Sequence, residues 1–167
     1  MSKGETQVRI RPMIFTDLKE VNALDRELRQ AGRRVAYKDF TTHKVFGIET
    51  QGSETGKRPD MLKVAELMDL GFVAESEGRL CGFIVGRQTY LAETDIQEGE
   101  IAIIAVHPDY WGKGVATRLV NALDDLFRSR GLKRVRIPVD PLDEAMIGFL
   151  EQSGFSGDPL VYYSKKL

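Results

Sequence analysis

The sequence predicts an α/β fold, a sheet flanked by helices, from three observations. Residues 101–106 are an unbroken apolar run, too short for a helix and rich in β-branched side chains, which marks a strand covered on both faces. A glycine-bearing loop, Trp111, Gly112, Lys113, Gly114, follows Pro108, and beyond it Ala116, Leu119, Val120, Leu123, Leu126 and Phe127 recur at helical spacing until Gly131. On both sides of this unit, short strand-like segments alternate with amphipathic helical ones.

Residues 8–11 alternate apolar and polar side chains and form a short first strand closed by Pro12. Thr16 or Asp17 can cap a helix whose inner face is Leu18, Val21, Leu24 and Leu28. Periodicity fades over residues 32–59, and residues 51–59 have the composition of a polar loop. Asp60 caps a second helix through Met61, Leu62, Val64, Ala65, Leu67 and Met68, with Gly71 as its stop. Residues 72–75 and 80–91 form a hairpin turning at Glu77 and Gly78, with Cys81 a buried, inert thiol and Gly86 a bulge or a crossing point. Residues 132–139 are a further strand, and Pro138, which cannot donate to a ladder, makes its end unpaired or splayed. Asp143 caps a last helix carrying Ala145, Met146, Phe149 and Leu150 and ending at Gly154, and residues 160–166 return as a strand.

With 167 residues, 42% apolar and 29% charged, the chain has the size and composition of a single globular domain, 1–167. A net charge of −1 provides no broad field for nucleic acid or an anionic membrane, so any anion site must be local. No segment is apolar enough for a signal peptide or a membrane span, and the lone Cys81 fits a reducing compartment, which together predict a cytoplasmic protein. The C-terminal K-K-L is not the peroxisomal S-K-L address. Two histidines and one cysteine make no metal-ligand cluster.

A strand, a glycine loop and a helix N-terminus together aim free backbone N–H groups and the positive end of a helix dipole at one point, which suits a phosphate. Gly112 and Gly114 let an anion approach the backbone, Lys113 and Arg118 add positive charge, and Thr117 adds a hydroxyl. The loop is not a Walker A loop, because Lys113 is followed by Gly114. It is not a dinucleotide fingerprint either, because Thr117 stands where the third glycine belongs.

The string V-H-P-D-Y-W-G-K-G-V-A-T-R-L-V resembles motif A of the GNAT superfamily of acyl-CoA-dependent N-acyltransferases, in which a strand ending V-x-P leads to [QR]-x-x-G-x-[GA]. Val106, Pro108, Gly114 and Ala116 match, while Trp111 replaces the usual Gln or Arg. The string D-E-A-M-I-G-F-L-E-Q-S-G-F resembles the superfamily's N-x-x-A-x-x-x-Y-x-x-x-G-F: Gly154 and Phe155 match, Asp143 takes the Asn place, Met146 the Ala place and Leu150 the Tyr place. The resemblance implies a twisted mixed sheet of about seven strands with about four helices, splayed between the fourth and fifth strands. It also implies acetyl-CoA (coenzyme A) as cofactor. Its pyrophosphate would lie on the backbone of Trp111, Gly112, Lys113, Gly114, Val115, Ala116 and Thr117, and its pantetheine arm in the splay beside Ile104, Ala105 and Val106, with Asp143 contributing from the last helix. The first two helices and their connection would cover the acceptor, a small-molecule or peptide amine, and a homodimer is one option for the assembly.

Acyl transfer to an amine needs a neutral nucleophile, a polarised carbonyl and a proton for the thiolate. By resemblance, Glu100 occupies the place of a catalytic base. Read from composition alone it is equally a solvated strand-end carboxylate in a loop with Glu93, Asp95 and Glu98. The carbonyl would be polarised by the N–H of Ile104 or Val106. Leu150 cannot protonate the thiolate, which leaves Tyr162, Tyr163 or solvent. The alternative to an enzyme is a non-catalytic acyl-CoA sensor or partner-docking module, which the missing acid at position 150 favours and Glu100 disfavours.

Overall fold

In a computed structural model describing residues 7–31, 65, 68–90, 95–158 and 165, five strands form one sheet in sequential order. They are β1 (Val8–Pro12), β2 (Gly71–Ser76), β3 (Arg79–Tyr90), β4 (Gln97–Val106) and β5 (Val135–Arg136). The first four pair antiparallel, and β5 runs parallel to β4 after a crossover through α2 (Val115–Ser129). The other helices are α1 (Leu18–Gln30) and α3 (Glu144–Gln152). The expected second helix lies outside the described residues except at Ala65 and Met68, which are helical, and of the expected last strand only Lys165 is described.

Local chemistry explains the punctuation. Glu77 and Gly78 both adopt positive φ (51° and 75°), the left-handed pair that a two-residue hairpin needs to match strand twist. Helices α2 and α3 end alike, with left-handed Gly131 and Gly154. Leu132 N–H and Phe155 N–H then reach back to the carbonyls of Phe127 and Leu150 and close the last turns. The Asp143 carboxylate accepts from Met146 N–H at 3.1 Å and caps α3.

The sheet is covered on both faces, as the apolar run of β4 requires. Val21, Leu24 and Leu28 of α1 pack with Val73, Phe83, Val85, Ile103 and Ala105 on one face. Leu119, Val120, Leu123 and Phe127 of α2 pack with Ala74, Ile84, Ile101 and Ile104 on the other. Burying each large side chain contributes about 1.5–3 kcal/mol. Gly86 does mark a bulge, but the extra residue is on the partner strand: Val85 pairs with Ile103 and Gly86 with Ile101, leaving Ala102 unmatched. Both Gly86 and Gly99 are needed for close approach, since a Cβ on either would lie 2.6 Å from the Phe127 ring.

Three expectations need correction. Strand β4 begins at Gln97, so Glu98 and Glu100 are strand residues, 1% and 4% exposed, rather than solvated loop carboxylates. The strand expected over 132–139 is only Val135–Arg136, because the chain leaves β4 before Pro138. Asp17 precedes α1 without capping it: its carboxylate accepts from Arg11 Nη1 and Nη2, at 2.7 and 2.9 Å, and from Ile14 N–H at 2.8 Å. Burial acts to raise the Asp17 carboxyl, but these hydrogen bonds outweigh it and hold it below the usual carboxylate range.

Candidate active site

The loop between β4 and α2 is shaped by its glycines. Gly112 and Gly114 both have φ +72°, a conformation that strains other residues, and no atom of the described residues lies within 4 Å of where their Cβ atoms would sit. Trp111 N–H closes a 3₁₀ turn onto Pro108 O at 3.0 Å, and Arg118 N–H opens the helix ladder on Gly114 O at 3.0 Å. Between them, the N–H groups of Gly112, Lys113, Gly114, Val115, Ala116 and Thr117 meet no acceptor among the described residues. The free donors therefore start one residue later than expected, at Gly112. They converge at the positive end of a 15-residue helix, where an anion is stabilised without any fixed cation.

The second part of the site is the outer edge of β4. β5 pairs with it only at Gly99 and Glu100. His107 N–H points to β3, donating to Cys81 O at 2.8 Å, so by strand alternation the N–H groups of Ile104 and Val106 point to the opposite side, where β5 has already diverged. This is the splay that Pro138 suggested. The edge is half closed at its end, because the Trp111 indole N–H donates to Val106 O at 2.7 Å.

At the fork itself sits a charged cluster that sequence reasoning missed. The two oxygens of Glu100 are shared between two strands: Oε1 accepts from Arg87 Nε of β3 at 2.7 Å and also from Arg87 Nη2, while Oε2 accepts from Arg136 Nε of β5 at 2.8 Å. Glu98, deeper still, faces Arg134 Nε at 3.3 Å and Arg136 Nη1 at 3.8 Å, without hydrogen-bond alignment. Arg134 also pairs with Asp158. A carboxylate held by two guanidiniums ties together the strands that carry them. Alternation of charge along β4 was the available signal, but assigning partners required the ladder register.

A family model described as Acetyltransferase (GNAT) family matches residues 37–155, most of the chain. The chain belongs to the GNAT acetyltransferase family. Among curated relatives, it is 31% identical over 87 residues to N-alpha-acetyltransferase 30 of Schizosaccharomyces pombe, covering 52% of this chain and 57% of that one, so the chain spans less than two thirds of that relative's length. Among solved structures, it superposes on a ribosomal-protein-alanine N-acetyltransferase from Brucella melitensis biovar Abortus 2308 with TM-score 0.65 at 22% identity, over 95% of this chain and 99% of that one. It also superposes on aminoglycoside N-acetyltransferase AAC(6')-Iy, in complex with CoA, with TM-score 0.68 at 18% identity over the full length of both. These likenesses establish the GNAT fold.

Several residues singled out by the GNAT motifs have other partners here. Arg118 turns away from the loop and donates to Val8 O of β1 at 2.9 Å. The Lys113 ammonium lies 5.0 Å over the Tyr110 ring, a cation–π contact on the rim of the loop. Asp143 Oδ1 is engaged in its helix cap, and Leu150, at the GNAT Tyr position, is buried core. Tyr162 and Tyr163 lie outside the described residues. Ala105 faces the α1 layer and supplies packing rather than a free donor. His107 bridges elements, with Nε2 3.5 Å from Glu27 of α1 and Nδ1 accepting from Asp109 N–H at 3.2 Å. Burial pushes the Cys81 thiol up, which keeps it the inert residue expected. Among the described residues there is no group of His, Cys, Asp and Glu side chains able to hold a metal ion, and no helix is long and apolar enough to cross a membrane.

Proposed function

We propose that this protein transfers an acetyl group from acetyl-CoA to an amine by direct attack in a ternary complex. The observation that carries the reading is the pairing, among the described residues, of unfilled backbone donors at Gly112–Thr117 with an outer edge of β4 that β5 leaves unpaired beyond Glu100. The donors suit a pyrophosphate, the edge suits an amide-bearing arm that adds to a strand, and the open space at both left-handed glycines leaves room for the anion. When bound, acetyl-CoA supplies the acyl group as a thioester. In this reading the N–H of Ile104 or Val106 donates to its carbonyl oxygen, a contact of a kind worth about two to three powers of ten in rate. The leaving thiolate takes its proton from solvent or from Tyr162 or Tyr163, because Leu150 has none to give.

The clamp at the fork bears on the acceptor. With Glu100 held by Arg87 and Arg136, we assign it the task of fixing where β5 diverges rather than of removing the amine's proton. The acceptor must then arrive neutral by its own chemistry. An α-amine, with pKa about 7.7–8.0, is neutral roughly one time in ten at pH 7, against roughly one in a few thousand for a lysine side chain near 10.4. We therefore infer that the acceptor is an α-amine, of a peptide or of a small molecule.

Free-thiol release from acetyl-CoA tests both parts, with two peptides offered at equal concentration at pH 7, one blocked at its lysines and one at its amino terminus. Release with the lysine-blocked peptide is the expected result. Preference for the other peptide refutes the α-amine assignment, and tight CoA binding with no release on any amine refutes the enzyme.

A further inference from the structure

Trp111 is where this chain departs from the GNAT loop motif, and its side chain has a defined place. Val106 is the last residue of β4, and its carbonyl points outward with its N–H, into the gap that β5 has vacated. The indole Nε1 donates to that carbonyl at 2.7 Å while the Trp111 backbone N–H is tied to Pro108 O. The side chain thus folds back from the anion loop onto the strand end, and the residue remains 51% exposed. One acceptor of the open edge is withdrawn from any incoming chain, and an aromatic face stands between the free donors at Gly112–Thr117 and those at Ile104 and Val106. A ligand with its phosphates on the first set and its acyl end at the second has to pass this ring.

We propose that Trp111 is a positioning residue for the carrier arm: its indole N–H fastens the anion loop to the end of β4, and its ring is the wall against which the amide-bearing arm of coenzyme A packs. The identity of the carrier rests on the function proposed above. Phenylalanine at this position would keep a ring but lose the tether, and alanine would lose both.

Trp111 is the single tryptophan in the sequence, so the emission of the native protein reports on this position alone. Titration with CoA is expected to shift or quench that emission saturably, with a midpoint equal to the calorimetric Kd. Losing one hydrogen bond in W111F is expected to raise the CoA Kd about threefold to tenfold, and W111A about tenfold or more. Emission unmoved at saturating CoA, or a folded W111A that binds CoA as the native protein does, overturns the proposal. If W111A does not fold by circular dichroism, native emission and W111F decide. If native protein binds CoA and releases thiol while its emission stays still, only the role of Trp111 falls; if calorimetry finds no CoA binding at all, the functional reading falls with it.

Discussion

Arg87 on β3 and Glu100 on β4 stand directly opposite each other in the ladder, joined by an Nε–Oε1 hydrogen bond of 2.7 Å. Arg136 holds the other oxygen from β5, so one buried carboxylate links three strands at the point where the sheet forks. Substituting E100Q removes the negative charge that the two guanidiniums share at the fork. Because both are partly exposed, the expected loss is about 1–3 kcal/mol, short of that for a fully buried pair. Urea denaturation measures it. If Glu100 is a clamp, the pH–rate profile of E100Q keeps its native shape; loss of the limb governed by a base would return the residue to the chemistry.

Asp17 ties β1 to the start of α1 through Arg11, and its stabilisation depends on charge. Its folded carboxyl binds a proton less readily than the unfolded one, so the contribution is fully present above the unfolded value of about 3.9 and is lost as pH falls through the lower folded value. D17N is expected to cost about 1–3 kcal/mol at pH 7. Denaturation curves of native and variant protein should converge as pH is lowered below about 4.

Asp124 on α2 is the reverse case. Burial raises its carboxyl, Arg128 lies no closer than 4.0 Å, and Oδ1 has no hydrogen-bond partner among the described residues. The folded state therefore holds the proton more readily, and the charge destabilises above the folded value. D124N is expected to stabilise by up to about 1 kcal/mol at pH 7, with the gain vanishing below about pH 4. Thermal melts at the two pH values measure the difference.

Gly99 lies under the Phe127 ring at the fork, where an added methyl would sit 2.6 Å from Cδ2. G99A should cost about 1–3 kcal/mol through overpacking, and F127L should recover part of the loss in the double variant although it is destabilising alone. A double-mutant cycle by denaturation gives the coupling.

How much of this was readable in the sequence follows from how local each feature is. The β4–loop–α2 unit could be read because its signals are contiguous: an apolar run, two glycines that must be left-handed, and a helical stripe. Pro138 correctly marked the divergence of β5, since a missing donor is a property of one residue. The burial and ion pairing of Glu100 were not legible because its arginines come from positions 13 and 36 residues away, and because Gln97–Glu100 has the composition of a loop. Asp17 was misjudged for a similar reason: a carboxylate before a helix is usually a cap, and only the course of β1 brings Arg11 to it. The role of Trp111 depends on which way a carbonyl points, which no residue type announces.

The early departure of β5 has a consequence for the dynamics of β4. The amides of Ile103 and Ala105 are locked to β3, whereas those of Ile104 and Val106 meet no cross-strand acceptor among the described residues. Deuterium should enter this strand in alternation, every second amide washing out first, and a bound carrier should restore the missing protection. The central strand of the free protein is in that sense an unfinished ladder whose last rungs the proposed carrier would supply.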